Sequence, residues 1–121
     1  MKTCLIVDDS STIRKAISLI LKPFSFDLYE AENGKIALDA CLDIMPDLII
    51  LDWNMPVMTG VEFLIELRQK PNGNHPKVIF CTTNTEMEHV EEAMQKGADE
   101  YVMKPFTKEI IEEKLLMVGM I

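Results

Sequence analysis

Asp8, Asp9, Asp52, Thr82 and Lys104 are the side chains best suited to chemistry, and each follows directly on a short apolar or strand-like run. Thr3 to Val7 (TCLIV) ends on the acid pair, and Leu48 to Leu51 (LIIL) ends on Asp52. Lys77 to Cys81 (KVIFC) ends on Thr82, and Glu100 to Met103 (EYVM) on Lys104. Brought together, three carboxylates raise one another's pKa values. A hard divalent cation relieves that repulsion. Mg²⁺, with Mn²⁺ as an alternative, takes carboxylates, a carbonyl and waters, and usually keeps places for phosphate oxygens. A carboxylate nucleophile, a cation, a lysine and a hydroxyl are the parts needed for phosphoryl transfer to an aspartate. The metal and the lysine hold the equatorial oxygens while the carboxylate attacks in line. Singly, each residue has a plainer role: Asp caps helices, Thr ends strands, and Lys is solvated. The chemical reading rests on the set.

The intervening segments indicate how the set converges. From Ser10, apolar residues at Ile13, Ile17, Ile20 and Leu21 fit a helix with a Ser or Asp N-cap, stopped by Pro23. Phe26 to Ala31 reads as a short strand. Asn33-Gly34 could mark a hairpin, but Ile36, Ala37, Leu38, Cys41 and Leu42 continue at helical spacing, which favours a helix from about Gly34 to Ile44. Val61, Phe63, Leu64 and Leu67 mark a third helix, ended near Pro71-Asn72-Gly73. A fourth helix is expected over about Glu86 to Lys96 with Gly97 as its C-cap. A fifth, from about Thr107, should carry Ile110, Ile111, Leu115 and Leu116 toward the core. Leu48 to Leu51 has the uninterrupted apolar character of a strand buried on both faces.

Five strands alternating with five helices predict an α/β fold. The expected form is a flavodoxin-like, doubly wound (βα)5 three-layer sandwich with parallel strand order 2-1-3-4-5. The switch point of that order lies between strands one and three, the strands ending in Asp8-Asp9 and Asp52. Ligands of open α/β sheets bind there, outside the carboxyl ends of the strands.

Composition narrows the classes. The chain of 121 residues suits one domain. Its net charge of −8 disfavours nucleic-acid binding. The apolar runs are far short of a membrane span and no signal-peptide core is evident, so a cytoplasmic location with no membrane partner is expected. Three cysteines, Cys4, Cys41 and Cys81, form no CxxC pair and read as buried free thiols. His75 and His89 are not at zinc-ligand spacing with them. Nine methionines read as gap fillers, Asn33-Gly34-Lys35 lacks the glycine spacing of a phosphate loop, and Glu86 to Glu92 reads as a solvated face.

The pieces VDDS at 7–10, LDWNMPVMTG at 51–60, Thr82-Thr83, and YVMKPF at 101–106 resemble those of receiver domains of two-component response regulators. Stand-alone receivers of the chemotaxis-regulator type are the nearest in kind. The spacings match as well: Thr82 lies 30 residues after Asp52, and Lys104 lies 22 after Thr82. The resemblance covers essentially the whole chain and implies a single receiver domain over 1–121 with no output domain.

It further implies that Asp52 is the phosphoacceptor, taking a phosphoryl group from a sensor histidine kinase. Asp9 and Asp52 would ligate Mg²⁺ directly, Asn54 through its backbone carbonyl, and Asp8 mainly through water. Lys104 would pair with Asp52 and then with the phosphoryl oxygens. Thr82 would swing onto the phosphoryl group and Tyr101 would rotate inward, switching the face of helix four, strand five and helix five for a phosphorylation-dependent partner. The Lys104-Pro105 bond is expected to be cis. Asn54 and Asn84 occupy places that tune hydrolysis in the family. Thr83 departs from the usual small residue and is expected to narrow access to the site.

The implied partners are the kinase, a flagellar switch or other output protein, and a phosphatase. A chemotaxis-type output is expected, with a phosphorelay intermediate or a phosphate sink as alternatives. An aspartate-nucleophile phosphatase is a further alternative, but Asp52-Trp53-Asn54 lacks the second acid such enzymes use. The domain is therefore expected to catalyse only its own phosphotransfer and dephosphorylation.

Overall fold

The computed structural model describes residues 1–83 and 90–121. In chain order its elements are β1 (Thr3–Val7), α1 (Ser11–Leu21), a 3₁₀ turn over Lys22–Phe24, β2 (Asp27–Ala31), α2 (Gly34–Asp43) and β3 (Leu48–Asp52). They continue with α3 (Gly60–Arg68), β4 (Lys77–Thr82), α4 (Val90–Gln95), β5 (Glu100–Met103) and α5 (Lys108–Met117). All strand pairs are parallel, in the order β2-β1-β3-β4-β5. The sandwich is therefore doubly wound, as the alternation of strands and helices predicts. The expected first turn of the fourth helix, from Glu86 to His89, lies outside the described residues.

β3 shows why the sheet is central. All five of its residues are buried, and alternate side chains enter opposite layers. Ile49 and Leu51 pack with Ala37, Cys41, Phe63, Leu64, Leu67 and Ala93, in the layer under α2, α3 and α4. Leu48 and Ile50 pack with Ile17, Leu21, Ile111 and Leu115, under α1 and α5. Each such Leu or Ile contributes roughly 1.5–3 kcal/mol relative to exposure, so this strand anchors both layers.

Helix starts are set by side-chain caps. Ser10 Oγ accepts the Ile13 amide at 3.2 Å and so resolves the Ser-or-Asp choice for α1. Asn33 caps α2, with Gly34 as its first residue, so Asn33-Gly34 makes no hairpin. Thr59 and Glu62 form a capping box on α3, and Thr107 caps α5. Gly97 follows α4 at φ +119°, with the Gly97 amide donating to Met94 and the Ala98 amide to Ala93. That is a Schellman closure.

One expectation fails in α5. Ile111 and Leu115 are fully buried, but Ile110 is 38% exposed and Leu116 60%. At about 100° per residue, an i, i+4 pair shares the inward face and its sequence neighbours turn away from it.

Arg68 and Asp47 hold the amino-terminal side of the sheet. The Arg68 guanidinium donates to the carbonyls of Gly97, Gly73 and Pro76 and to Asp99, at 2.6–3.2 Å. Asp47 accepts the Thr3 amide at 2.8 Å and meets His75 Nε2 at 2.8 Å, while its backbone bonds Thr3 and Lys77. These bonds tie together the starts of β1, β3 and β4. The Thr3 amide, then His75, hold the Asp47 carboxyl below the ordinary carboxylate value. The stabilisation is therefore present above the unfolded-state pKa and is lost as pH falls through the lower folded value. Asp47→Asn is expected to cost ~1 kcal/mol at neutral pH, discounted for partial exposure. Urea melts should show the gap to wild type closing as the pH is taken down through and below the ordinary carboxylate range.

Candidate functional site

The chain leaves β1 toward β2 on one side and leaves β3 toward β4 on the other, which opens a crevice between the carboxyl ends of β1 and β3. Val7 pairs with Leu51 across these strands, so Asp8 and Asp52 emerge side by side. Carboxylate oxygens of Asp8, Asp9 and Asp52 lie within 4.8 Å of one another. Among the described residues this is the single group of three or more potential metal-ligating side chains. Asp8 and Asp52 are buried and Asp9 is exposed.

Lys104 reaches the acids from the end of β5. Its Nζ lies 2.7 Å from Asp52 Oδ1 and 3.1 Å from Asp8 Oδ2. Burial raises the Asp52 carboxyl. The Lys104 bond opposes that shift, the charges of Asp8 and Asp9 add to it, and the net displacement is upward. For Lys104 burial alone would lower the pKa, but Asp52 and Asp8 outweigh it and leave the ammonium above its ordinary value. The lysine therefore stays charged. Three carboxylates facing one ammonium leave an excess of two negative charges when ionised, which suits a divalent cation held by oxygen ligands.

Asp8 is fixed from four directions. Its amide donates to Ala31, its Oδ1 accepts the Ser10 amide, its Oδ2 meets Lys104, and its carbonyl accepts Arg14 Nη1 at 2.7 Å. Arg14 is held in turn by Glu30 at 2.8 Å. Sequence reasoning missed Arg14. Its place one turn into the helix after the acid pair is the only sequence signal for it.

The other expected residues surround this cluster. Thr82 is buried at the end of β4, its hydroxyl 3.3 Å from the Thr83 carbonyl, and the Lys104 amide donates to the Thr82 carbonyl at 2.7 Å. Thr83 is half-buried and Asn54 exposed. Tyr101 is half-buried against the layer under α2, α3 and α4. The Lys104-Pro105 bond is cis. Asn84 lies outside the described residues. The Cys81 thiol, beside Asp52 in the sheet, is pushed up to about 12 by burial, which keeps it protonated and unreactive. Cys4 and Cys41 are also buried free thiols.

The loop after β3 carries strain. The Met58 amide donates to the Pro56 carbonyl at 2.8 Å, closing a three-residue turn centred on Val57 at φ +73°. A β-branched residue at positive φ is costly, by ~1–3 kcal/mol. Val57 is 76% exposed, so little packing offsets the cost. Val57→Gly is expected to stabilise the protein by ~1 kcal/mol after the added chain entropy is subtracted, measured as a raised urea midpoint with unchanged slope.

A doubly wound sheet with an acid cluster and a lysine at its switch point has the parts that a phospho-accepting domain with a divalent-cation site requires. The chain belongs to the response regulator receiver domain family, whose sequence model matches residues 4–116. Over 112 residues it is 38% identical to the chemotaxis protein CheY of Pseudomonas aeruginosa, covering 92% of this chain and 90% of that protein. It is 37% identical to CheY1 of Helicobacter pylori, covering 94% of each. The solved structure of the chemotaxis protein CheY4 of Vibrio cholerae superposes with a TM-score of 0.90 at 35% identity, covering 98% of both chains. The family's chemistry is worked on the domain itself, not on an external substrate.

Proposed function

We propose that Asp52 is the phosphoacceptor of this receiver and that the chain works as a single receiver domain acting through a partner protein. The observation that carries this reading is the Lys104 ammonium bonded to Asp52 and Asp8, with Asp9 completing the acid cluster. The donor set suits Mg²⁺, which Asp9, Asp52 and the Asn54 carbonyl would hold, while Asp8 would act through water. When bound, the metal neutralises charge on the transferring phosphoryl oxygens.

The chain's own residues do the rest. A carboxylate oxygen of Asp52 attacks the phosphorus of a kinase phosphohistidine. The phosphorus–nitrogen bond breaks and the electron pair returns to the imidazole. Asp52 then carries an acyl phosphate. Lys104 exchanges its bond to Asp52 for the phosphoryl oxygens and balances their charge. Thr82, at the end of β4, turns its hydroxyl to the phosphoryl group, and Tyr101 follows inward, changing the face made by α4, β5 and α5. Thr83 narrows the approach to Asp52, and Asn54 flanks the path of the hydrolytic water.

The likeness to chemotaxis proteins supports a chemotaxis-type output through a flagellar switch protein, with a sensor histidine kinase upstream and a phosphatase resetting the signal. The proposed place of action is the cytoplasm, where such a kinase delivers its phosphoryl group; among the described residues no helix is long and apolar enough to cross a membrane.

Trp53 is the only tryptophan, adjoins Asp52, and packs against Phe80 at 5.2 Å, so it reports on the site. Its fluorescence should change saturably with Mg²⁺ and then more slowly with acetyl phosphate. Metal binding followed by no donor response, even with a kinase present, would contradict the assignment.

A further inference from the structure

β5 is an edge strand of the sheet. Glu100 and Tyr101 are neighbours on it, so their side chains leave on opposite faces. Lys114, from α5, nevertheless meets both. Its Nζ lies 3.2 Å from Glu100 Oε1 and 5.1 Å from the centroid of the Tyr101 ring. A cation touching side chains from both faces must sit at the open edge of the strand, and the Tyr101 ring beneath it is held at that edge. Glu100 fastens the arrangement a second time, since its Oε1 also accepts the Tyr101 amide at 3.0 Å. The Lys114 and Glu100 side chains are only 18% and 14% exposed, so the pair is more sheltered than an ordinary surface ion pair.

We propose that Lys114 is a positioning residue for Tyr101, an edge latch that holds the ring in its resting place and sets how readily the domain enters its phosphorylated conformation. This rests on the reading of Tyr101 as the residue that moves inward. An inward rotation takes the ring away from the edge and from the ammonium, while the Glu100–Lys114 pair stays within α5 and β5. The cation–ring contact is therefore made in one state only, and an interaction of that kind shifts a two-state equilibrium. Contacts of this type are worth ~0.5–1 kcal/mol when partly exposed, equivalent to about a two- to fivefold bias toward rest. By linkage, removing the latch tightens binding of whatever prefers the inward state by the same factor.

Beryllium fluoride adds to a carboxylate as a tetrahedral phosphoryl-like group, and its binding in excess Mg²⁺ is read by Trp53 fluorescence. Lys114→Met should bind it about two- to fivefold more tightly than wild type. Lys114→Arg, which keeps a cation over the ring, should stay near wild type. In a Tyr101→Ala background the Lys114→Met effect should vanish. A purely structural lysine would lower the melting temperature of Lys114→Met without tightening binding. Unchanged or weaker binding by Lys114→Met, failure of arginine to restore it, or persistence of the effect without Tyr101 would each overturn the latch. Failure of wild type to bind beryllium fluoride, or equal binding by Asp52→Asn, would instead remove the receiver assignment and the latch with it.

Discussion

Asp52→Asn is expected to reduce phosphorylation by acetyl phosphate or by a kinase to background, a loss on the order of 10³-fold or more. An amide oxygen does not form the acyl phosphate, and among the described residues the groups nearest to it are otherwise engaged. Asp8 is committed to the Ser10 amide and Lys104, and the Cys81 thiol is held protonated by burial. The variant should still fold. Burial already disfavours the Asp52 charge, and Lys104 keeps Asp8 as a partner when Asp52 is neutralised. Circular dichroism and a thermal melt close to wild type, together with absent labelling, would separate lost chemistry from lost structure. Mg²⁺ affinity should fall as well, because one of three carboxylates is gone. Retained labelling in a folded Asp52→Asn protein would move the acceptor elsewhere.

Gly60→Ala is expected to be the most damaging small substitution near the site. A Cβ on Gly60 would lie 2.3 Å from the Asp52 carbonyl oxygen and 2.8 Å from Phe80 Cε1. The first of these is backbone in the central strand, so it cannot rotate aside. The chain must either separate α3 from β3 or displace the Asp52 peptide. A cost of about 2–4 kcal/mol is expected, with slower phosphotransfer in the folded fraction because the nucleophile is no longer aimed at its donor. Thr59→Ala, one residue earlier, is the control. It removes the Thr59 cap for ~1 kcal/mol without pressing on Asp52. Equal phosphotransfer rates in folded Gly60→Ala and wild type would show that the strand end tolerates movement.

The strands and the convergence of the acids were legible because each depends on local pattern. Short apolar runs closed by polar residues have few other solutions, and the alternation of strand and helix implies a parallel doubly wound sheet; the order that brings Asp8 beside Asp52 is that of the flavodoxin-like form among such sheets. The Ser10 cap of α1 is likewise local, its side chain reaching the Ile13 amide three residues on; the caps at Asn33, Thr59 and Thr107 have the same spacing but were not read. What escaped reading depends on partners distant in sequence. Arg68 bonds the Gly97 carbonyl 29 residues away, and Arg14 bonds the Asp8 carbonyl and Glu30. An anchoring arginine and a solvated one are the same letter until the fold brings its acceptors near. The positive φ at Val57 was also hidden, since valine is among the residues least suited to it. The inward face of α5 was misjudged because four apolar residues there form two adjacent pairs, and only tertiary packing selects one member of each.

The central claim is that the reactive carboxyl is that of Asp52. Acyl phosphates are reduced by borohydride to the alcohol, which turns a phosphorylated aspartate into homoserine. Protein loaded with acetyl phosphate and Mg²⁺, reduced, digested and sequenced by mass spectrometry should carry homoserine at position 52 and at no other aspartate, and only when Mg²⁺ was present. Homoserine at Asp8 or Asp9, or equal conversion at position 52 without a divalent cation, would contradict the account.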